Sequence, residues 1–314
     1  MSGPSQDCKV STHFPRQVKY GSKTDPIFLR SSSRNPPIWN LFCNFVAKSD
    51  TDMAIKAAFF DIDGTLVSFQ THRIPDSTVK AIEQAKGRGV RIFISTGRPA
   101  AIITNIDAIR HLIDGYITFN GARTFIGDEE ITLMPIPEQE VRAMIADASR
   151  RNYAVVVCGK EDIGIHNHTS IFDEVFVRGL GVNNIDIHKP IEPLLRRPVL
   201  QLTPFFCVDD EKLILPSMPH CIAARWNPHF TDITVRGADK GNALRRLTEH
   251  IGISPEECIA FGDGGNDMSI LHAAGIGVAM GNANEEVKAA ADYVTTSVDE
   301  DGIRNAFIHF GIIP

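Results

Sequence analysis

The sequence predicts an α/β fold in which an open, mostly parallel sheet is interrupted by an inserted α+β segment. Short apolar runs that end in polar, glycine-containing turns alternate with helical patterns in both outer parts of the chain. The stretch 135–227 instead mixes strands and helices with few long crossovers. A length of 314 residues, 43% of them hydrophobic and 22% charged, is enough for two cores.

Composition excludes several classes of protein. The net charge of -6 has interspersed signs, so there is no basic stripe for a nucleic-acid backbone. No apolar run approaches the roughly 20 residues that cross a bilayer. The six cysteines include no C-x-x-C pair, which argues against a zinc site or a redox pair. We expect a cytoplasmic protein with reduced thiols and no nucleic-acid or membrane partner.

Residues 1–52 differ from the rest of the chain. They carry a net charge of +3, are punctuated by Ser, Pro and Asn, and lack sustained periodicity. We therefore predict that this extension is disordered. Met53 immediately precedes the first predicted strand, so translation from Met53 and a functional N-terminal arm both remain open.

The first predicted strand covers residues 55–60 and ends at a pair of carboxylates. Its run is apolar on both faces, as in a strand buried inside a parallel sheet. Asp61 and Asp63 are two residues apart and would point to the same side, at the edge where open α/β sheets bind ligands. A divalent cation best offsets two such close charges. Gly64 permits a tight turn, which the Thr65 hydroxyl can cap.

Two further strands follow. A helix is predicted from Pro75 to about Gly87, and then a strand over 90–94 that ends in Thr96, Gly97 and Arg98. A small hydroxyl residue followed by glycine can donate two hydrogen bonds to one phosphate oxygen. The next strand, 116–119, leads to Asn120.

Inside the inserted segment we predict two helices and three strands. The helices cover residues 138–150 and 209–215, and the strands cover 154–157, 199–203 and 221–226.

The last part returns to a Rossmann-like alternation. Lys240 opens a helix, where a lysine runs against the dipole preference for acidic groups. A buried strand at 259–261 runs into Asp263, Asn266 and Asp267, which would bring Asp263 to the same cation as Asp61. A helix over 287–291, a strand over 293–295 and a helix over 303–310 complete this part.

Four stretches together resemble the motifs of the haloacid dehalogenase superfamily of phosphotransferases, in the same order. They are Asp-Ile-Asp-Gly-Thr-Leu at 61–66, Ser-Thr-Gly at 95–97, Lys-Gly-Asn-Ala-Leu at 240–244 and Gly-Asp-Gly-Gly-Asn-Asp at 262–267. The continuation Thr-Gly-Arg-Pro at 96–99 and Asn-Gly-Ala at 120–122 resemble the Cof-type subclass IIB hydrolases. The resemblance covers about residues 54–314.

The resemblance implies a domain organisation and a set of roles. Residues 53–134 and 228–314 would form the hydrolase core, and 135–227 a cap that closes over the site. Asp61 would attack phosphorus to form an aspartyl-phosphate, and Asp63 would protonate the leaving alcohol and then activate water. Catalysis would also depend on Lys240 and Thr96, which hold and neutralise the phosphoryl group.

The resemblance also implies ligands. Mg²⁺ would be bound by the Asp61 and Asp263 carboxylates and the Asp63 backbone carbonyl, with Asp267 acting through a water. The expected phosphate and substrate contacts are Thr96, Gly97, Arg98, Asn120, Lys240 and Asn266.

For the substrate, the resemblance implies a small phosphomonoester, above all a hexose phosphate, and a monomer or small homo-oligomer. Two alternatives remain open. One is a phosphohexomutase resembling phosphomannomutases, in which arginines such as Arg142, Arg178, Arg196 and Arg225 would hold a second phosphate. The other is a sugar-phosphate sensor without turnover, although every motif carboxylate is intact.

Overall fold

The protein is described by a computed structural model for residues 54–179 and 186–314. The extension predicted to be disordered, residues 1–52, lies outside the described residues. The strands are β1 (Ala57–Phe60), β2 (Arg91–Ser95), β3 (Gly115–Thr118), β4 (Arg123–Ile126), β5 (Glu129–Leu133), β6 (Val155–Gly159), β7 (Ile163–His166), β8 (Val199–Pro204), β9 (Cys221–Asn227), β10 (Phe230–Val235), β11 (Cys258–Gly262), β12 (Ile276–Ala279) and β13 (Tyr293–Val294). The α-helices are α1 (Asp76–Gly87), α2 (Glu138–Arg151), α3 (Ser170–Phe172), α4 (Glu192–Leu195), α5 (Val208–Ile214), α6 (Lys240–Ile251), α7 (Met268–Ala273), α8 (Glu285–Ala290) and α9 (Gly302–His309).

The larger sheet has eight strands in the order β13-β12-β11-β1-β2-β3-β4-β5. Its strands from β13 to β3 run parallel, and the hairpin of β4 and β5 adds two antiparallel strands at one edge. β1 lies between β2 and β11, so the loops that follow these three strands meet at one edge of the sheet. This is the edge where open α/β sheets bind ligands.

Helices cover both faces of the larger sheet. On one face, α1 and α9 pack against the strands through residues such as Ile82 and Phe307. On the other face, α6, α7 and α8 do so through residues such as Leu244, Ile270 and Val287. The resulting three layers confirm the predicted α/β class and leave the carboxyl edge of the sheet as the place for a site.

The inserted segment forms a second, antiparallel sheet of five strands in the order β7-β6-β8-β10-β9. α2 and α5 pack on one face, for example through Met144 and Ile214. The other face carries an aromatic cluster that includes Phe172, Phe176 and Phe205 and extends to Phe119 of the first sheet's β3–β4 connection. The predicted inserted α+β module is therefore present.

The second sheet extends beyond the boundary predicted at residue 227. β10 (Phe230–Val235) pairs with both β8 and β9, so the chain leaves this sheet only after Val235. The polar residue Asp232 interrupts the apolar pattern of β10, which is why this strand was not predicted. Asp232 is nevertheless buried, and it accepts hydrogen bonds from Gln201 and Thr203.

Four other strands were also absent from the prediction, namely β4, β5, β7 and β12.

None of the helices in the described part of the chain combines the length and apolar character of a membrane span. The described cysteines Cys158, Cys207, Cys221 and Cys258 are free.

Candidate active site

Side chains from separate segments meet beyond the carboxyl edge of the larger sheet. Asp61 follows β1, Thr96 follows β2, Asp263 follows β11, and Lys240 begins α6. The parallel pairing of β1 with β2 and β11 brings the first three together. The N-cap Asp239, whose side chain accepts a hydrogen bond from the Asn242 amide, fixes the start of α6.

Lys240 connects two of the carboxylates. Its side chain is fully buried, and its Nζ lies 2.7 Å from Asp61 Oδ1 and 2.6 Å from Asp267 Oδ1. Burial by itself lowers the pKa of Lys240, but Asp267 and Asp61 outweigh it and raise that pKa above its usual value. Because a buried charge is tolerated only when it is paired, this ammonium is a fixed part of the site.

Asp267 also shapes the loop after β11. Its Oδ2 accepts the backbone N–H groups of Asp263 at 3.0 Å and Gly264 at 2.9 Å. A Cβ on Gly262 would lie 2.3 Å from the Asp267 Cβ, so only glycine fits there. The carboxylate therefore holds the loop that presents Asp263.

Asp263 is held from two sides. Its Oδ1 accepts the Thr65 hydroxyl at 3.1 Å, and its Oδ2 accepts Asn282 Nδ2 at 3.2 Å. Burial, together with the neighbouring charge of Asp267, raises the pKa of the Asp263 carboxyl to about 7. Burial likewise raises the pKa of Asp61 well above its usual value, although Lys240 opposes this shift.

These carboxylates fit a divalent cation. Asp61, Asp263 and Asp267 each offer one oxygen, and the three oxygens lie within 4.8 Å of one another. Three carboxylates face one ammonium, which leaves a surplus of negative charge in a largely buried site. A hard dication with oxygen ligands would offset that surplus.

Asp63 is paired with Arg98. The guanidinium donates Nε to Asp63 Oδ2 at 2.7 Å and Nη2 to Asp63 Oδ1 at 2.5 Å, and both side chains are partly exposed. From the sequence we expected Arg98 to contact the substrate. The bidentate pair with Asp63 was not predicted. In this structure the guanidinium is therefore directed at the second motif carboxylate.

Thr96, Gly97, Asn120 and Asn266 form the polar side of the site. Asn266 Nδ2 donates to Asn120 Oδ1 at 2.9 Å, and the Asn120 amide donates to the Thr96 carbonyl at 3.1 Å. A Cβ on Gly97 would lie 3.0 Å from Asn120 Oδ1, so this carboxamide rests against the glycine. The Thr96 hydroxyl accepts the Arg98 amide, which leaves its own hydrogen able to donate to an oxyanion.

The turn that carries Asn120 has an unusual backbone. Phe119, Asn120 and Gly121 have φ values of 54°, 53° and 101°. Positive φ costs free energy for residues other than glycine, and such strain clusters at functional sites. The conformation turns the Asn120 side chain toward Gly97, while Phe119 is buried in the aromatic cluster of the second sheet.

Sequence reasoning missed two supports of the site. We expected Thr65 to cap the turn after β1, but its hydroxyl donates to Asp263 instead. Asn282 bridges the Gly64 carbonyl, at 2.9 Å, and Asp263. Its position just after β12, next to β11, would have indicated it if β12 had been predicted.

This geometry agrees with comparisons with known proteins. A sequence model of the family described as haloacid dehalogenase-like hydrolase matches residues 58–307. The chain belongs to the haloacid dehalogenase-like hydrolases. A similar solved structure of this superfamily is the subclass IIB sugar phosphatase BT4131. It has a TM-score of 0.76 and 49% identity, and covers 82% of this chain and 100% of that one.

Two other similar proteins are described as phosphatases. BT1666 from Bacteroides thetaiotaomicron, described among the phosphatases of the superfamily, has a TM-score of 0.76 and 34% identity, covering 86% of this chain and 100% of its own. The 5-amino-6-(5-phospho-D-ribitylamino)uracil phosphatase YcsE from Bacillus subtilis (strain 168) is 28% identical over 263 residues, 82% of this chain and 97% of YcsE. This haloacid dehalogenase-like hydrolase is accordingly a phosphoric monoester hydrolase that acts on small phosphorylated substrates.

Proposed function

We propose that the protein is a Mg²⁺-dependent phosphatase of sugar phosphates, hexose phosphates above all, that works through an aspartyl-phosphate. The observation that carries the proposal is the buried contact of Lys240 with Asp61 and Asp267 beside Asp263. A phosphoryl transition state needs in-line positioning of the reacting groups and neutralisation of its negative charge. In this cluster Lys240 would supply a positive charge, and its contacts hold Asp61 in position.

The metal site would use residues that already lie together. Mg²⁺ would be held by the Asp61 and Asp263 carboxylates and the Asp63 backbone carbonyl, with Asp267 acting through a water. When bound, Mg²⁺ would neutralise the carboxylates and the phosphoryl oxygens. The phosphate would be held by Thr96, Gly97, Lys240 and Asn266, and further by Asn120 and Arg98.

Asp61 and Asp63 would divide the chemistry. An Asp61 oxygen attacks phosphorus while the bond from phosphorus to the alcohol oxygen breaks, and Asp63 gives its proton to that oxygen. Asp63 then takes a proton from water, whose oxygen attacks phosphorus, so that inorganic phosphate leaves and Asp61 is regenerated. Two successive displacements let one pocket serve both steps.

Arg98 would take part in this cycle by changing partner. In the present structure both Asp63 oxygens accept hydrogen bonds from its guanidinium. An incoming phosphate dianion offers the same bidentate geometry. We infer that Arg98 moves to the phosphate and thereby frees Asp63 to take up from solvent the proton that it then gives to the leaving alcohol.

The substrate class rests on the second sheet and on the relatives. We propose that the inserted segment, extended to Val235, is the cap that selects the leaving group. BT4131, described as a sugar phosphatase, shares 49% identity with this chain, which favours a phosphorylated sugar.

The two alternatives gain little from the structure. Of the arginines considered for a second phosphate, Arg142, Arg178 and Arg225 each pair with a nearby glutamate. These three arginines therefore give the phosphohexomutase no specific supporting contact. The intact carboxylate cluster likewise argues against a sensor without turnover.

A screen of phosphate esters with and without Mg²⁺ tests the proposal. We expect inorganic phosphate to be released from hexose 6-phosphates only with the metal, and EDTA to stop the release. Bisphosphate-dependent interconversion of hexose 1- and 6-phosphates would instead support the mutase. Binding of sugar phosphates without any turnover would support the sensor.

A further inference from the structure

Phe69 is a large aromatic side chain on the surface of the part of the protein that contains the larger sheet. It is 63% exposed, and it is the one aromatic among the exposed large hydrophobic residues of the described chain. Burying a phenyl ring changes a folding or binding equilibrium constant by on the order of tenfold to a hundredfold, and an exposed ring does not contribute this stabilisation. One exposed apolar side chain is ordinary by itself, so the position of Phe69 relative to the active site decides whether it can contact a ligand.

The ring lies at the rim of the active site. A Cβ built on Gly64 would be 2.6 Å from Phe69 Cε2 and 2.2 Å from Asp263 Oδ2. The ring edge and the carboxylate therefore flank the same glycine. Gly64 directly follows Asp63, the residue proposed to protonate the leaving alcohol, so the ring lies beside the turn that carries this carboxylate.

The loop that carries Phe69 is held by hydrogen bonds. The buried Ser68 accepts the amides of Gln70 and Thr71 on its Oγ, at 3.0 and 3.1 Å. Its backbone forms hydrogen bonds with Arg73, at 3.1 Å, and with His72, at 2.9 Å. The exposed ring therefore lies on a turn that is already ordered, so binding a ligand there would cost little additional conformational entropy of the backbone.

We propose that Phe69 recognises the sugar by stacking its ring on the apolar C–H face of the hexose, while the motif residues hold the phosphate. This proposal rests on the proposed function and adds a specificity residue to it. The exposed polar residues next to Phe69, including Gln70 and Thr71, would face the hydroxyl rim of the same sugar. An aromatic face with a few polar neighbours is the usual lining of a small-molecule site.

Phe69→Ala, Phe69→Tyr and Leu213→Ala test this. Leu213 lies on α5, is 72% exposed, and serves as a matched apolar surface control. For each variant we would measure the KM of the hexose 6-phosphate that the wild type hydrolyses best, and the inhibition constant of inorganic phosphate. Inorganic phosphate occupies the phosphate site but carries no sugar.

We expect Phe69→Ala to raise the KM about tenfold while the inhibition constant of phosphate changes by less than about twofold. Phe69→Tyr, which keeps the ring face, should restore the KM, and Leu213→Ala should change neither quantity. An equal rise of both constants, or an unchanged KM, would overturn the stacking role. A wild type that releases no phosphate from any hexose 6-phosphate would overturn the proposed function itself, and this inference with it.

Discussion

Asp61 and Asp63 lie two residues apart but have different surroundings. Asp61 is 7% exposed and contacts Lys240, whereas Asp63 is partly exposed and contacts Arg98. The first environment suits a fixed nucleophile, because the buried Lys240 ammonium holds the carboxylate in place. The second suits a group that exchanges protons with the leaving alcohol and with water.

Asn substitutions at these two positions should separate the roles. Asp61→Asn should abolish phosphate release, because an amide oxygen does not form the covalent intermediate, while Lys240 keeps Asp267 as its partner. Asp63→Asn should lower kcat by on the order of 10²–10⁴ and leave metal binding intact, because its proposed metal ligand is a backbone carbonyl. The measurements are steady-state kinetics and calorimetric titration with Mg²⁺. Substantial turnover in Asp61→Asn would contradict the assignment of the nucleophile.

The raised pKa of Asp263 predicts how the metal-free protein responds to pH. With a folded-state pKa of about 7, above the usual value of 3.8, the folded protein binds more protons than the unfolded chain between these limits. The free energy of unfolding must therefore fall as pH rises from about 4 to 7. Burial also raises the pKa of Asp61, which acts in the same direction.

Denaturant unfolding in EDTA at pH 5 and pH 8 checks this prediction. We expect the wild type to lose stability between the two values and Asp263→Asn to lose less of it. Metal binding should show the opposite trend, because the cation displaces a proton, so the affinity should rise by up to about tenfold per pH unit below 7. A metal affinity that does not change between pH 5 and 7 would contradict the protonation of this site.

At the scale of elements, the turn after β1 is as important as its carboxylates. Gly64 has a φ of 81°, and a Cβ there would lie 2.2 Å from Asp263 Oδ2. Gly89, in the turn between α1 and β2, has a φ of 91° but open space around it. Alanine at the two positions therefore carries the same backbone strain, and at Gly64 it also carries a clash.

We expect Gly89→Ala to cost about 1 kcal/mol of unfolding free energy and to leave metal affinity unchanged. Gly64→Ala should cost more and should weaken Mg²⁺ binding, because the new methyl group displaces the Asp263 carboxylate. Calorimetric titration and urea unfolding of both variants provide the measurements. Equal metal affinities in the two variants would show that Gly64 serves only its backbone conformation.

Three of the strands that the sequence predicted correctly share one property. β1, β2 and β11 lie inside the parallel sheet, are almost wholly buried, and appear as continuous apolar runs. β4 and β5 form the hairpin at one end of that sheet, and each begins with two polar residues, so neither appears as a continuous apolar run. The Gly127-Asp128 turn between them was the available signal, and it is a common hairpin connection.

For the molecule as a whole, the sequence predicted which segments should meet but not all of the side chains that would pair. Motif residues at strand ends converge because topology forces them to, and topology can be predicted from alternating strands and helices. The Arg98–Asp63 pair and the contacts of Asn282 depend on long-range packing of loops, which no local pattern specifies. Similarly, the predicted boundary of the second sheet was too early because β10 contains Asp232. This polar residue is buried, whereas pattern analysis places it at the surface.

One buried side chain connects the two sheets directly. Arg123, on β4, is 6% exposed and donates Nε to Glu130 at 2.9 Å, in the adjacent strand β5. Its other nitrogens cross to the loop after β6 and donate to the Lys160 carbonyl at 3.0 Å and to Glu161 at 2.9 Å. The guanidinium therefore fixes the inserted sheet against the hairpin at the edge of the larger sheet.

Arg123→Met, which keeps an unbranched apolar stem but not the donors, should loosen that connection. We expect it to lower the unfolding free energy by on the order of 2 kcal/mol, since buried charged hydrogen bonds are lost. It should also raise the KM of hexose phosphates more than the inhibition constant of inorganic phosphate, because in the proposed function only the sugar would contact the cap. Glu161→Gln, at a side chain that is 67% exposed, should cost less than about 1 kcal/mol. A KM that is unchanged in Arg123→Met would mean that the cap positions the sugar without this contact.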